Sequence, residues 1–225
     1  MHPMLNTAVK AARDAAEIIQ YGARNLDRLT VESKAPGDFV SEIDRNAEAA
    51  IVDTLLGAYP NHGIIAEEGS GATRGNPNAS HIWIIDPLDG TTNFLHGFPT
   101  YCVSIALQVE GKLTQAVIYD PNRNDLFTAS RGAGAFMNNR RVRVSKALKL
   151  RECLIGTGFP FRDGSDFDAY VTQFKNLMPK TAGLRRPGSA ALDLAYVAAG
   201  FIDGFWEMKL NQWDMAAGAL LIMEA

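Results

Sequence analysis

Trp83-Ile84-Ile85-Asp86-Pro87-Leu88-Asp89-Gly90-Thr91-Thr92-Asn93 is the stretch from which the rest of the chain is best read. An apolar strand from Trp83 ends in Asp86, and Pro87, which lacks an N–H, is expected to stop the ladder there. Asp89-Gly90 then makes a tight turn into hydroxyl-bearing residues that can start a helix. Such a turn aims two carboxylates at one point and leaves the N–H groups of Gly90 and Thr91 facing an anion. Taken alone, the spacing fits a simple turn or cap equally well, because short motifs recur by chance.

Two other acidic segments belong with it if the fold brings them together. Glu67-Glu68 follows the apolar Ile64-Ile65-Ala66, which places a carboxylate at the end of a neighbouring strand. Asp214, in Trp213-Asp214-Met215-Ala216-Ala217-Gly218, stands at the start of an apolar helix, where capping is the ordinary role. Two unit charges of like sign roughly 4 Å apart repel by about 4 kcal/mol at an effective dielectric of about 20, so a cluster of Glu67, Asp86, Asp89 and Asp214 is costly without a cation. An all-oxygen donor set suits Mg²⁺, or Mn²⁺ as its substitute, rather than zinc.

Outward from this centre, Leu5, Ala8, Val9, Ala12, Ala15, Ala16 and Ile19 recur at helical spacing, and Pro36-Gly37-Asp38 breaks the chain. A second helix from Asp44 to Leu56 carries Ala47, Ala50, Ile51, Thr54 and Leu55 on one face. Short apolar runs follow at Gly63–Ala66, His81–Ile85, Cys102–Val109, Leu113–Tyr119 and Asp125–Ser130. Glu110-Gly111-Lys112 and Asp120-Pro121-Asn122 read as hairpin turns, which predicts a largely antiparallel first sheet. After Lys149 the elements alternate, with strands near Leu154–Gly158 and Gly204–Met208 and helices near Phe167–Met178, Ser189–Ala199 and from Met215 onward. The prediction is therefore a mixed α/β (α+β) chain with two sheets, one domain over 1–225 made of lobes 1–145 and 146–225.

Composition narrows the function. With 225 residues, 47% hydrophobic and 21% charged, the chain can bury a sizeable core and is of the ordinary globular class. The longest uncharged stretch, Phe98 to Val109, is too short and too polar to span a bilayer, and Met1-His2-Pro3-Met4-Leu5 has no signal-peptide pattern. Cys102 and Cys153 form no C-x-x-C, which fits a cytoplasmic protein. A net charge of −3 argues against direct nucleic-acid binding. Arg131-Gly132-Ala133-Gly134 lacks the third glycine of a dinucleotide fingerprint, Gly111-Lys112 lacks the rest of a phosphate-binding loop, and no serine sits in a nucleophile elbow. His2, His62, His81 and His96 form no metal motif and read as surface or packing residues, and Arg185-Arg186 as a solvated or interface pair.

The chain resembles the inositol monophosphatase family. The residues that carry the resemblance are Trp83 to Phe94, Trp213 to Gly218, Asp38-Phe39-Val40-Ser41-Glu42-Ile43-Asp44 and Ile65-Ala66-Glu67-Glu68. Met1 to Asn6 and Arg185 to Tyr196 look in particular like its bacterial SuhB-type members. The resemblance implies a layered αβαβα sugar-phosphatase sandwich, Mg²⁺ dependence, lithium sensitivity and a homodimer. It implies Mg²⁺-dependent hydrolysis of inositol monophosphate or a similar sugar, cyclitol or polyol phosphate. The alternatives are fructose 1,6-bisphosphatase or 3′-phosphonucleotide phosphatase chemistry at the same site, or a partner role with the transcription and ribosomal-RNA machinery.

Residue by residue, the resemblance puts Glu67, Asp86 and the Leu88 carbonyl on a first metal, and Asp86, Asp89 and Asp214 on a second. It makes Glu67, Thr91 and Asp44 the group that positions and deprotonates the attacking water, and gives phosphate to Gly90 and Thr91. Substrate hydroxyls fall to Asp89, Gly188, Ser189, Ala190, Glu207 and Asp214. Family members continue past a Glu-Ala-Gly-Gly sequence with further strands and a helix, whereas this sequence stops at Ala225 within the helix that Asp214 begins, so the resemblance implies an incomplete second lobe.

Overall fold

The computed structural model describes residues 2–35, 38–69, 75–160 and 167–225. Helix α1 (Pro3–Ala23) and helix α2 (Glu42–Ala58) flank a short antiparallel pair, β1 (Val31–Ala35) and β2 (Asp38–Ser41). A seven-stranded sheet follows: β3 (Gly63–Ala66), β4 (His81–Asp89), β5 (Cys102–Val109), β6 (Lys112–Asp120), β7 (Asp125–Ser130), β8 (Gly134–Met137) and β9 (Arg140–Arg141). The short helix α3 (Thr91–Leu95) leaves the end of β4. The chain then builds β10 (Leu154–Thr157), α4 (Phe167–Leu177), β11 (Gly183–Arg185), α5 (Ala190–Ala199), β12 (Gly204–Trp206) and α6 (Gln212–Glu224).

Strand order in the large sheet is the chain order from β3 to β9, with only β3 and β4 parallel. The largely antiparallel first sheet read from the hairpin turns is therefore present, and Glu110 (φ 49°) and Gly111 (φ 78°) supply the left-handed pair that a tight hairpin turn needs. The second sheet has three parallel strands in the order β11-β10-β12. The β1–β2 pair, β8, β9 and β11 go beyond the strands read from the sequence, being too short or too polar to show a period. The break read at Pro36-Gly37 lies outside the described residues, as does Met1.

Both faces of the large sheet are covered, which is why its strands are almost continuously apolar. On one face Trp83, Ile85, Val103, Ile105, Leu107, Val117 and Tyr119 meet the inward stripes of α1 and α2, among them Ala8, Ala12, Ala15, Ile19, Ala47, Ile51 and Leu55. The alternate residues Ile84, Cys102, Ala106, Ala116, Ile118 and Phe127 meet α5 and α6 on the other face. Those two helices are rich in alanine, with Ala191, Ala195, Ala198, Ala216 and Ala217 buried, so they pack closely on the sheet and on each other. Beyond α5 lies the small sheet. Tyr170 of α4 closes its outer side, stacked on Trp206 at 6.0 Å and with its hydroxyl 3.2 Å from Thr157 Oγ1. Helices, sheet, helices, sheet and helix are thus layered as αβαβα.

One expectation is corrected at β4. Pro87 does not end the strand: pairing with β5 runs from His81 to Asp86, shifts register, and resumes at Asp89 opposite Cys102. The irregularity absorbs the residue that cannot donate to the ladder and re-aims the acidic end of the strand.

The tightest approach of α5 and α6 is at Gly218, where a Cβ would lie 2.4 Å from Leu194 Cβ. Gly218→Val is expected to lower stability by about 1–3 kcal/mol through overpacking, despite the gain in helix propensity. Thermal unfolding measures this, and an unchanged midpoint would show that the two helices have room to yield.

Candidate active site

Helix starts and strand ends from separate parts of the chain meet at one edge of the large sheet. Asp86 and Asp89 come from the irregular end of β4, and Glu67 follows β3, its N–H donating to Ile85 O at 3.2 Å. Asp44 and Asp214 occupy the third positions of α2 and α6, each in a capping box. Ser41 N and Oγ donate to Asp44 Oδ2 at 2.8 and 2.6 Å, and Asn211 N donates to Asp214 Oδ2 at 2.7 Å. Capping therefore holds one oxygen of each side chain in place.

The free oxygen of Asp44 meets Thr91. Thr91 Oγ1 lies 2.8 Å from Asp44 Oδ1 and 3.0 Å from the Leu88 carbonyl, so its single proton has two acceptors. Gly90 before it has φ 94°, and a Cβ there would be 2.9 Å from Thr100 O; only glycine makes this turn at this spacing. Burial pushes the Asp44 carboxyl up, and the bonds from Ser41 and Thr91 oppose that shift.

Asp89 ties this edge to the second half of the chain. Its Oδ2 accepts from Ser189 Oγ at 2.5 Å and from Ala191 N at 2.7 Å, at the start of α5. Asn93 does the same one turn on, its Nδ2 lying 2.7 Å from Thr100 O, 2.9 Å from Pro187 O and 3.3 Å from Gly188 O. A cavity of about 70 Å³ opens beside Asp89, and its walls include Gly188, Ser189, Ala190, Asp193 and Glu207. Of the substrate-side residues read from the sequence, Asp89, Gly188, Ser189, Ala190 and Glu207 line this pocket and Asp214 does not.

Charge links the acidic groups. Burial raises Asp86 well above the usual carboxylate range, and the negative charges of Glu67, Asp89 and Asp214 raise it further. Asp89 is pushed up to about 7, by burial first and then by the charge of Asp214, against the bond from Ser189. Among the described residues, no three His, Cys, Asp or Glu side chains are already closed into a metal-holding group. The four carboxylates are coupled through their field.

Two supporting residues escaped the sequence reading. Glu48, fully buried on α2 one turn after Asp44, accepts from Glu68 N at 2.7 Å and so fixes the loop that carries Glu67. Its signal was a second acid on the apolar face of that helix. Asp193, buried in the first turn of α5, likewise interrupts a run of small apolar residues. The histidines pack or cap as expected: His62 stacks on Tyr59 and His81, and His2 Nδ1 accepts from Met4 N.

Comparison with known proteins places this geometry. The sequence model of the inositol monophosphatase family matches residues 1–225. The chain is 53% identical over 227 aligned residues to "Nus factor SuhB" of Pseudomonas aeruginosa, covering 100% of this chain and 84% of that protein. It is 48% identical over 222 residues to "Inositol-1-monophosphatase" of Mesorhizobium japonicum, covering 99% of this chain and 83% of that one. The crystal structure of extragenic suppressor protein SuhB from Bartonella henselae superposes with a TM-score of 0.94 at 46% identity, covering 100% of this chain and 85% of that one. A structure described as an IMPase/NADP phosphatase complexed with Mg²⁺ and phosphate matches with a TM-score of 0.78 at 27% identity, over 92% of this chain and 77% of that one.

The raised carboxyls set the sign of a pH effect. A carboxyl whose folded pKa exceeds its unfolded value stabilises the fold at pH below the unfolded value, near 4, and that contribution is lost as pH rises through the folded value. With Asp89 at about 7 and Asp86 also raised, the protein in chelator-treated buffer is expected to lose Tm from about pH 4 up through about pH 7. Asp89→Asn is expected to flatten the slope. A wild-type Tm independent of pH in chelator-treated buffer would show that these groups ionise without cost.

Proposed function

Since the chain belongs to the inositol monophosphatase family, we propose that this phosphatase hydrolyses inositol monophosphate or a similar small polyol phosphate with the aid of Mg²⁺. The observation that carries the reading is the convergence of Asp86, Asp89, Glu67 and Asp214, coupled by charge, beside a Thr91 hydroxyl that faces Asp44.

The donor set fits Mg²⁺: it is all oxygen, anionic and otherwise repulsive. Glu67, Asp86 and the Leu88 carbonyl would hold one ion, and Asp86, Asp89 and Asp214 a second, with Mn²⁺ able to substitute. When bound, the metal supplies the Lewis acidity that lowers the pKa of a water and stabilises a departing alkoxide. Glu67 and Thr91 then orient the attacking water. Thr91 takes its proton while passing its own to Asp44, whose other oxygen is already held by Ser41. The N–H groups of Gly90 and Thr91 face the phosphate, and Asp89, Gly188, Ser189, Ala190, Glu207 and Asp214 face the hydroxyls of the leaving group.

The deciding experiment is phosphate release from a panel of phosphomonoesters with and without Mg²⁺. The panel includes fructose 1,6-bisphosphate and a 3′-phosphonucleotide, and inositol monophosphate is expected to lead. The 53% identical relative is named "Nus factor SuhB", which supports a second role as a partner of the transcription machinery. A homodimer belongs to the same reading. No helix among the described residues is long and apolar enough to cross a membrane.

Asp214→Asn is expected to lower kcat by orders of magnitude with little loss of Tm, because an amide oxygen can still accept from Asn211 N while the negative ligand is gone. Near wild-type turnover at saturating Mg²⁺ would remove Asp214 from the site. Glu207→Gln is expected to reduce turnover of inositol phosphate more than that of an aryl phosphate, which has no hydroxyls to offer. Equal losses on both substrates would place Glu207 in a supporting role.

A further inference from the structure

Asp193 stands in the wall of the cavity beside Asp89 with only 2% of its surface exposed, and among the described residues its Oδ1 meets no hydrogen-bond partner. Buried polar atoms are almost always satisfied, so one left open at the wall of a pocket marks a place where something else must bind. The charged groups acting on it are Asp89 and Glu207, which are negative, and Arg186, which is positive.

Space has been kept for this carboxyl. Gly156 and Gly158 are alternate residues of β10 and its extension, and a Cβ at Gly156 would lie 3.2 Å from Asp193 Oδ1. One at Gly158 would lie 1.9 Å from Glu207 Cδ. Two carboxyls are thus set against a strand stripped of side chains. Thr157 between the glycines has its hydroxyl 3.3 Å from Gly158 O and 3.2 Å from the Tyr170 hydroxyl. The cavity of about 70 Å³ has room for several hydroxyl-sized groups, since about 10–15 Å³ is enough for one water.

We propose that Asp193 is a specificity-determining residue that, beside Glu207, binds a second hydroxyl of a polyol leaving group. The inference rests on the phosphatase reading above and deepens it. The favoured substrates are phosphomonoesters with hydroxyls on neighbouring ring carbons, one meeting Glu207 and the next meeting Asp193. A carboxyl serves this purpose in either protonation state, accepting a hydroxyl proton when ionised and also donating one when neutral.

The test compares wild type, Asp193→Leu and Asp193→Asn at saturating Mg²⁺. The readouts are kcat/KM for inositol 1-phosphate, kcat/KM for p-nitrophenyl phosphate, and Tm without substrate. Asp193→Leu is expected to lower the ratio of inositol to aryl phosphate activity at least tenfold, and Asp193→Asn to restore most of it. The Tm of Asp193→Leu is expected to equal or exceed that of wild type, because Oδ1 of this carboxyl has no hydrogen-bond partner among the described residues. An unchanged ratio in Asp193→Leu overturns the proposal. So does a variant that unfolds or loses several degrees, since the carboxyl would then be a structural group. Wild type that releases phosphate from neither substrate overturns the phosphatase reading itself, and this inference with it.

Discussion

The carboxylate of Asp89 is the point on which the two halves of the molecule depend. It ends a strand of the large sheet, and its Oδ2 takes a hydroxyl and an amide proton from Ser189 and Ala191 at the head of α5. Hydrogen bonds to a charged acceptor are stronger than neutral ones, so this contact fixes the start of a helix that carries the small sheet on its other side. Asn93 repeats the tie through two carbonyls of the second half, those of Pro187 and Gly188. Without the register shift at Pro87 the Asp89 side chain would not point this way, and the pocket that holds Glu207 and Asp193 would have no floor.

A site built on repelling carboxyls is destabilising by itself, and the layers around it make up the difference. Trp83, Phe94, Phe127, Ile105 and Leu107 are fully buried. Each large apolar side chain contributes about 1.5–3 kcal/mol when removed from water. The alanine-rich α5 and α6 let two helices fit between two sheets, which brings Asp214 and Asp89 close enough for each to raise the cost of charge on Asp86. Packing and electrostatics are one problem here: thinner helices shorten the distance between charges.

Much of this was legible in the sequence, because the signals were strong in both period and motif. The runs at Cys102–Val109 and Asp125–Ser130 matched their strands end to end, being bounded by turns and apolar on both faces. The short motifs also pointed to Asp86, Asp89, Thr91 and Asp214, which the fold brings into hydrogen-bond or electrostatic reach of one another's neighbourhood at one edge of the large sheet. Pro87 misled, since a proline inside a paired strand is tolerated only where the ladder already shifts, and a shift leaves no mark in one sequence. The strands β8, β9 and β11 were hidden by their length of two to four residues. Glu48 was hidden for another reason: an acid on a helix that also carries Glu42 and Asp53 looks solvated until the loop it supports is seen.

Asp44 and Asp214 share a placement with a dynamic consequence. Both lie in the first turn of a helix, and each is held by the same reciprocal cap that keeps that turn closed. First turns are where helices fray, at a free energy below that of opening the whole molecule. The chemistry proposed for them therefore depends on two helix starts, at Ser41 and at Asn211, that reciprocal caps hold closed and that bury Asp44 and Asp214.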